Sequence, residues 1–283
     1  MSLEGADMSW REGRTIEVNG VSLHVEDYGN GTPVLLLHGW PDSAYVWRNQ
    51  IPSLTGHGFR AIAPDLRGFG QSSRPVEVTD YALSKSVGDV TGLLDALGVE
   101  SAHLVGHDWG AAVAWSMAMS HPDRVQKLVV VSVGHPSVPW SLRQFEMAWY
   151  QLLFQFEGIA EATLSYDDWA WLLRFLRGAG DQERYEQDLS RPGALTASLN
   201  WYRANLAPKM PGPSPELPPV QVPTLGIWST NDHYLDGERM EKSGAYVKAP
   251  WRYEVIEGAS HWVPLDAPDR LNVLLLGWLQ GGS

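Results

Sequence analysis

The chain has 283 residues, with 33 acidic side chains against 21 Lys and Arg, a net charge of -12 and no cysteine. That balance argues against nucleic acid and anionic membrane surfaces as partners, and it excludes disulfides, thiolate catalysis and cysteine-ligated metals. The length suits an α/β core carrying an insertion. Residues 1–14 lack the apolar run of a signal peptide and no stretch approaches a membrane span, so the soluble cytoplasm is the expected compartment. Met8 is an alternative start, which would make the first seven residues an added tail.

Thr15–Val18 and Ser22–Asp27 read as a hairpin around Asn19-Gly20, a type I′ turn signal. Val34–Leu37, Arg60–Ala63, Ala102–Val105 and Val125–Val133 are short apolar runs of the kind a sheet covered on both faces requires. Between them, Ala44–Leu54 and Ser84–Leu97 have helical periodicity. The alternation predicts a mostly parallel central sheet with helices on both faces. From Ser137 to Leu206 the pattern becomes helix after helix, and a proline-rich return runs from Pro208 to Pro223. Strand patterns resume at Thr224–Trp228 and Arg252–Ile256, before a final amphipathic helix from Ala267 to Leu279. The expected organisation is a core built from residues 1–136 and 216–283, with a helical cap at 137–215. Tryptophans crowd this cap (Trp140, Trp149, Trp169, Trp171 and Trp201), which suits an apolar pocket wall as well as plain helix packing.

The most informative run is Gly106-His107-Asp108-Trp109-Gly110, between an apolar strand and a small-residue helix start. This is the context of a nucleophile elbow, with aspartate where serine is usual. The residue type changes the chemistry. A serine attacking saturated carbon would form an ether, which water does not readily cleave. A carboxylate forms an ester instead, and water can open that ester at the enzyme's own carbonyl. Asp108 therefore points to displacement at sp³ carbon followed by hydrolysis, with an epoxide oxygen or a halide leaving. The competing reading is a Gly-flanked aspartate that merely caps a helix.

Three features support the chemical reading. His38-Gly39-Trp40-Pro41 follows the strand Val34–Leu37, where a turn can aim the Trp40 N–H, together with that of Trp109, at an oxyanion on Asp108. Asp232 lies just past Thr224–Trp228, and His261 just past Arg252–Ile256, at the strand ends where sites of open α/β sheets form. The order nucleophile, acid, histidine is that of α/β-hydrolases. Asp232 would orient the imidazole, whose other nitrogen would deprotonate water. Asp236 is the alternative acid, although it could equally cap the following helix, and His233 is a neighbouring competitor. His107 is expected to pack beneath the elbow.

With these motifs in place, the sequence from about Thr15 to Leu279 resembles an α/β-hydrolase-fold epoxide hydrolase. The resemblance rests on His38–Pro41, Asp65-Leu66-Arg67-Gly68-Phe69-Gly70-Gln71-Ser72 and the elbow, together with two cap segments, Tyr150-Gln151-Leu152 and Leu199-Asn200-Trp201-Tyr202-Arg203. It implies that Tyr150 and Tyr202 hydrogen-bond the epoxide oxygen and that the Trp40–Pro41 peptide is cis. Phenols suit the task, because with a pKa of about 10 they can donate a proton without being ionised at pH 7. Trp40, Trp109 and Trp149 are the tryptophans expected to contact substrate. The implied partners are a small apolar epoxide and water, with no cofactor or metal. Oligomeric state is open, a homodimer being compatible with the sequence.

Two rival functions use the same residues. A haloalkane dehalogenase shares the Asp-ester chemistry, but halide would need indole or amide donors, for which Trp109 and the many other tryptophans are available. A non-catalytic ligand-binding protein on the hydrolase fold belongs to a different class, and the complete set Asp108, Asp232 and His261 speaks against it.

Overall fold

The computed structural model describes residues 13–206 and 216–281. Among these residues eight strands form one sheet in the order β1-β2-β4-β3-β5-β6-β7-β8. They are β1 (Arg14–Val18), β2 (Val21–Tyr28), β3 (Thr32–Leu37), β4 (Phe59–Pro64), β5 (Ala102–His107), β6 (Val125–Val131), β7 (Thr224–Ser229) and β8 (Trp251–Ile256). β1 and β2 form the expected hairpin, with Asn19 and Gly20 both at positive φ (48° and 81°), as a type I′ turn demands. From β4 onward every neighbouring pair is parallel, so β3, β5, β7 and β8 all release their chains at one edge of the sheet.

Side-chain alternation divides the core. Leu35, Leu37 and Leu104 point to one face, against Leu93 of α2 (Leu83–Ala96) and Val113 and Trp115 of α3 (Trp109–Ser120). Val34, Leu36 and Val105 point to the other, against Ile51 and Leu54 of the short α1 (Gln50–Gly56). The two-residue period of a strand makes both faces apolar when both are covered.

Two element expectations shift. The helix read over Ala44–Leu54 is a 3₁₀ turn (Ala44–Asn49) leading into α1, because Pro52 cannot supply the N–H that a continuous ladder needs. β6 stops at Val131, and Ser132, at φ 72°, turns the chain away from the strand direction before Val133.

Among the described residues, six short helices separate β6 from β7: α4 (Leu142–Met147), α5 (Trp149–Leu153), α6 (Ile159–Leu164), α7 (Ala170–Phe175), α8 (Gln182–Leu189) and α9 (Ala194–Asn205). The buried Arg203 ties α9 to its neighbours, pairing with Glu161 of α6 at 2.9 Å and donating to the Phe154 carbonyl at 3.0 Å. The boundary at residue 215 and most of the proline-rich return lie outside the described residues. After β7 come α10 (Gly237–Lys242), α11 (Val263–Asp266) and α12 (Pro268–Gln280), whose Leu271, Leu274 and Leu275 join the core face of α1. Among the described residues no helix is long and apolar enough to cross a membrane.

Candidate active site

The elbow is a strand running straight into a helix with one residue between them. That residue is Asp108, at φ 51° and ψ -119°, a conformation side-chain-bearing residues seldom adopt. The flanking glycines make it feasible. A Cβ on Gly106 would lie 2.4 Å from the Gly110 carbonyl oxygen, and one on Gly110 would lie 2.1 Å from that of Leu37. Gly39 has the matching constraint on the facing loop, where a Cβ would come within 2.3 Å of the Asp108 Cβ. The bare backbone of Gly39 thus packs directly against the Asp108 side chain.

This close approach brings the Trp40 N–H to 2.8 Å from Asp108 Oδ1. The Trp40–Pro41 peptide is cis. His38 steadies the loop beneath, donating from Nδ1 to the Gly39 carbonyl (2.8 Å) and accepting at Nε2 from the Leu66 N–H (2.9 Å). Burial pushes the Asp108 carboxyl up, but His261, His107 and the Trp40 N–H outweigh it, and the carboxyl titrates below its ordinary range.

Asp232 and His261 come from the loops after β7 and β8. Asp232 Oδ2 lies 2.8 Å from His261 Nδ1, while its Oδ1 accepts the backbone N–H groups of Tyr234 (2.8 Å) and Leu235 (2.9 Å). The other imidazole nitrogen, Nε2, faces Asp108 Oδ2 at 3.6 Å. Burial alone would lower the His261 pKa, but the two carboxylates raise it to about 10. His107, buried below and held neutral by burial (pKa down to about 4), donates from Nε2 to the His261 carbonyl at 2.9 Å. The two competitors are placed elsewhere. Asp236 caps α10 through the Glu238 N–H and accepts from the Ser141 hydroxyl, and His233 is exposed.

Across from the elbow, Tyr150 of α5 and Tyr202 of α9 are buried with their rings in edge contact, centroids 6.0 Å apart. Both phenols are pushed well up, first by burial and then by neighbours that include the Asp108 charge, so both stay protonated. α9 is held to the core on either side of this position. The Trp201 indole donates to the Arg67 carbonyl (2.9 Å), and the Trp40 indole donates to the Ser198 hydroxyl (3.1 Å). Arg67 is fixed in turn by a bidentate pair with Asp89, both bonds 2.6 Å. The Asp65–Ser72 run thus has a physical role as the shelf on which α9 rests.

A cavity of about 1050 Å³ opens beside these groups, lined by Asp108, Trp109, Tyr150 and Tyr202 and continuing between α2 and α3. The expectation for Trp149 fails. It is 51% exposed, packs on Trp171 and Phe175, and is not among the lining residues. Trp40 is buried behind Tyr202, so its side chain is a support and its backbone N–H the part that reaches Asp108.

Two charged residues escape a reading of the sequence. Asp42 is buried near His261, with one carboxyl oxygen receiving the Tyr185 hydroxyl at 2.7 Å and the Trp262 indole also acting on the carboxylate. Burial raises its pKa to about 7. Its position directly after His38–Pro41 was the available signal. Arg239, on α10, also lines the cavity, and no sequence pattern marks it.

Comparison with known proteins agrees with this geometry. The family described as alpha/beta hydrolase fold matches residues 32–268. Epoxide hydrolase A of Mycobacterium tuberculosis is 34% identical over 95% of this chain and 97% of its own. The human protein Epoxide hydrolase 4 is 34% identical over 94% of this chain and 77% of its own. The crystal structure of Epoxide Hydrolase A from Mycobacterium thermoresistibile superposes with a TM-score of 0.81 at 31% identity, covering 95% of this chain and 98% of that one. The chain belongs to the α/β-hydrolase fold family and, within it, to the epoxide hydrolases.

Proposed function

We propose that the protein hydrolyses an epoxide to a vicinal diol through an ester on Asp108, with the segment 137–215 serving as a cap over a core of residues 1–136 and 216–283. The observation that carries this reading is the convergence on one cavity of an ionised Asp108 and two protonated, buried phenols. A displacement that expels an alkoxide needs both a nucleophile and a proton donor.

Asp108 attacks a ring carbon, the carbon–oxygen bond breaks, and the nascent alkoxide takes a proton from Tyr150 or Tyr202. Oδ1, held by the Trp40 N–H, remains as the carbonyl oxygen of the new ester. Esterification removes the charge of Asp108, one of the two that hold His261 cationic. The imidazole then releases a proton, which balances the phenolate left on the cap. Neutral His261, oriented by Asp232, removes a proton from water as that water attacks the Asp108 carbonyl. The tetrahedral oxyanion is stabilised by the Trp40 and Trp109 N–H groups. Collapse expels the second diol oxygen, which takes the proton of the re-formed Asp108 acid, leaving carboxylate and imidazolium as at the start.

The test is a single turnover in ¹⁸O-water with enzyme in excess. The first diol should carry unlabelled enzyme oxygen, and the label should appear in Asp108. Label found directly in that first diol would mean that water opens the ring without an ester, and the reading would fall. Asp108→Ala should abolish turnover while leaving the fold intact.

A further inference from the structure

The cavity is larger than a small epoxide needs. It follows α3 from Trp109 to His121, twelve residues apart or about 18 Å of helix, and its walls are mostly apolar. Among the described lining residues Arg239 is the one Lys or Arg. Its environment is unusual for a guanidinium. The residue is 8% exposed, and among the described residues it makes no ion pair. The nearest acidic influence is Asp236, whose carboxylate is already committed to the Ser141 hydroxyl and the Glu238 N–H. The hydrogen bonds Arg239 does make are long: Nε to the Val138 carbonyl at 3.3 Å and Nη2 to the His135 carbonyl at 3.5 Å. Its carbon Cζ sits 5.6 Å from the centroid of the Trp140 ring, an aromatic face that steadies the cation without neutralising it. Burial accordingly draws its pKa down, to about 10, so it is charged at neutral pH yet uncompensated.

We infer that Arg239 is an anion subsite in the substrate cavity, and that the preferred substrates are amphipathic epoxides carrying a carboxylate. A guanidinium fork matches a carboxylate with two parallel hydrogen bonds, and the exchange of two weak carbonyl contacts for that pair favours the charged ligand. The protein's net charge of -12 would otherwise repel such a substrate, so a local cation is needed to reverse the preference. Distance sets the shape. Arg239 adjoins His135, whose ring meets Trp115 edge-on at 5.1 Å, and Trp115 lies six residues beyond Trp109 on α3. The acid group is therefore on the order of 10 Å from the ring being opened. The intervening chain would lie along Val133, Val138 and Leu235. This inference rests on the epoxide-opening reading above and adds the identity of the substrate's far end.

The test compares 7,8-epoxyoctanoate with its methyl ester, using diol formation as the readout, and measures binding of the two corresponding diols by tryptophan fluorescence. Wild type should favour the acid over the ester by roughly 10- to 100-fold in kcat/KM, chiefly through KM, with a similar preference in diol binding. In Arg239→Gln the acid-to-ester ratio should fall to about one, while Arg239→Lys should keep part of it. Equal kcat/KM for acid and ester in wild type, or a preference that survives Arg239→Gln, would overturn the subsite. If Arg239→Gln does not fold, the wild-type binding pair and Arg239→Lys still decide. Equal diol affinities there refute the subsite. Conversion of the ester to diol without acid preference removes the subsite alone. If neither epoxide is opened, the epoxide-opening reading fails, and diol binding decides the subsite separately.

Discussion

His261 Nε2 stands 3.6 Å from Asp108 Oδ2, an ion-pair distance slightly too long for a hydrogen bond, while its Nδ1 is bound to Asp232 at 2.8 Å. The imidazole is thus oriented by one carboxylate and faces the other across a short gap. The charge it carries depends on both.

A carboxylate nucleophile needs no base, but a neutral water does. His261→Gln should therefore consume about one equivalent of epoxide and stall as an ester on Asp108. Intact mass spectrometry should show a gain equal to the whole epoxide, because ring opening expels nothing. A haloalkane would add only its alkyl group, so the same variant separates the two chemistries. Asp232→Asn should give a milder stall through a misoriented ring. An inactive His261→Gln protein that binds substrate but shows no adduct would contradict the division of labour.

In the proposed mechanism the two buried phenols donate to one oxygen. Tyr150→Phe and Tyr202→Phe should each slow ring opening by roughly 10²-fold or more, and the double variant should be nearly inactive toward epoxides, with effects that do not add. Pre-steady-state ester formation is the measurement. Full single-variant rates for both, or a double variant that still opens epoxides, would remove the phenols from the step.

Asp42 predicts a pH signature in stability. Its native pKa of about 7, raised first by burial, exceeds the unfolded value of 3.8, so its contribution to stability is complete below about pH 4 and is lost as pH rises through 7. Asp42→Asn keeps an acceptor for the Tyr185 hydroxyl and removes the buried charge. Its Tm should exceed that of wild type by ~5 °C at pH 8, with the gap closing toward pH 4. A variant less stable than wild type at pH 8 would mean that the ionised Asp42 is held favourably, with the nearby His261 cation as partner.

The shelf under α9 gives a prediction remote from the chemistry. Asp89→Ala leaves the Arg67 guanidinium buried without its bidentate partner and should cost about 3–5 kcal/mol in urea unfolding. Burial pushes the Asp89 carboxyl up even beside Arg67, so the neutral Asp89→Asn should cost less than the alanine variant. A loss below ~1 kcal/mol for Asp89→Ala would show that Arg67 finds adequate partners elsewhere, the Asp80 carbonyl being the first.

The elements legible in the sequence are those set by local rules. Asn19-Gly20 dictated its turn, the continuous apolar run Val34–Leu37 of β3 required burial on both faces, and Gly106 and Gly110 announced a junction too tight for a Cβ. The places of Asp108, Asp232 and His261 followed from strand ends. What was not legible depends on how helices roll. Tyr150 and Phe154, four residues apart, both face inward, and adjacent positions on a helix are 100° apart, so Trp149 turns toward solvent. Composition marked Trp149 as an aromatic near a pocket, but only the packing of α5 fixes its direction. Asp42 and Arg239 were hidden for a related reason. Their interest lies in burial that shifts how they titrate, a property of the tertiary surroundings that no local pattern records.

The anchoring of α9 bears on where the entropy of catalysis is settled. Trp201 and Ser198, one and four residues before Tyr202, are both tied to core loops, one of which also supplies the Trp40 N–H to Asp108. The separation between the Tyr202 phenol and the Asp108 carboxylate is therefore set when the chain folds, before any substrate arrives. On the proposed mechanism, a segment pinned this way would not need to close to assemble the reacting groups, and the ordering that a mobile lid would demand at each turnover would already be complete. Loosening it by removing the Trp201 indole would be felt as lost alignment, in kcat, without any change in the chemistry of the residues that react.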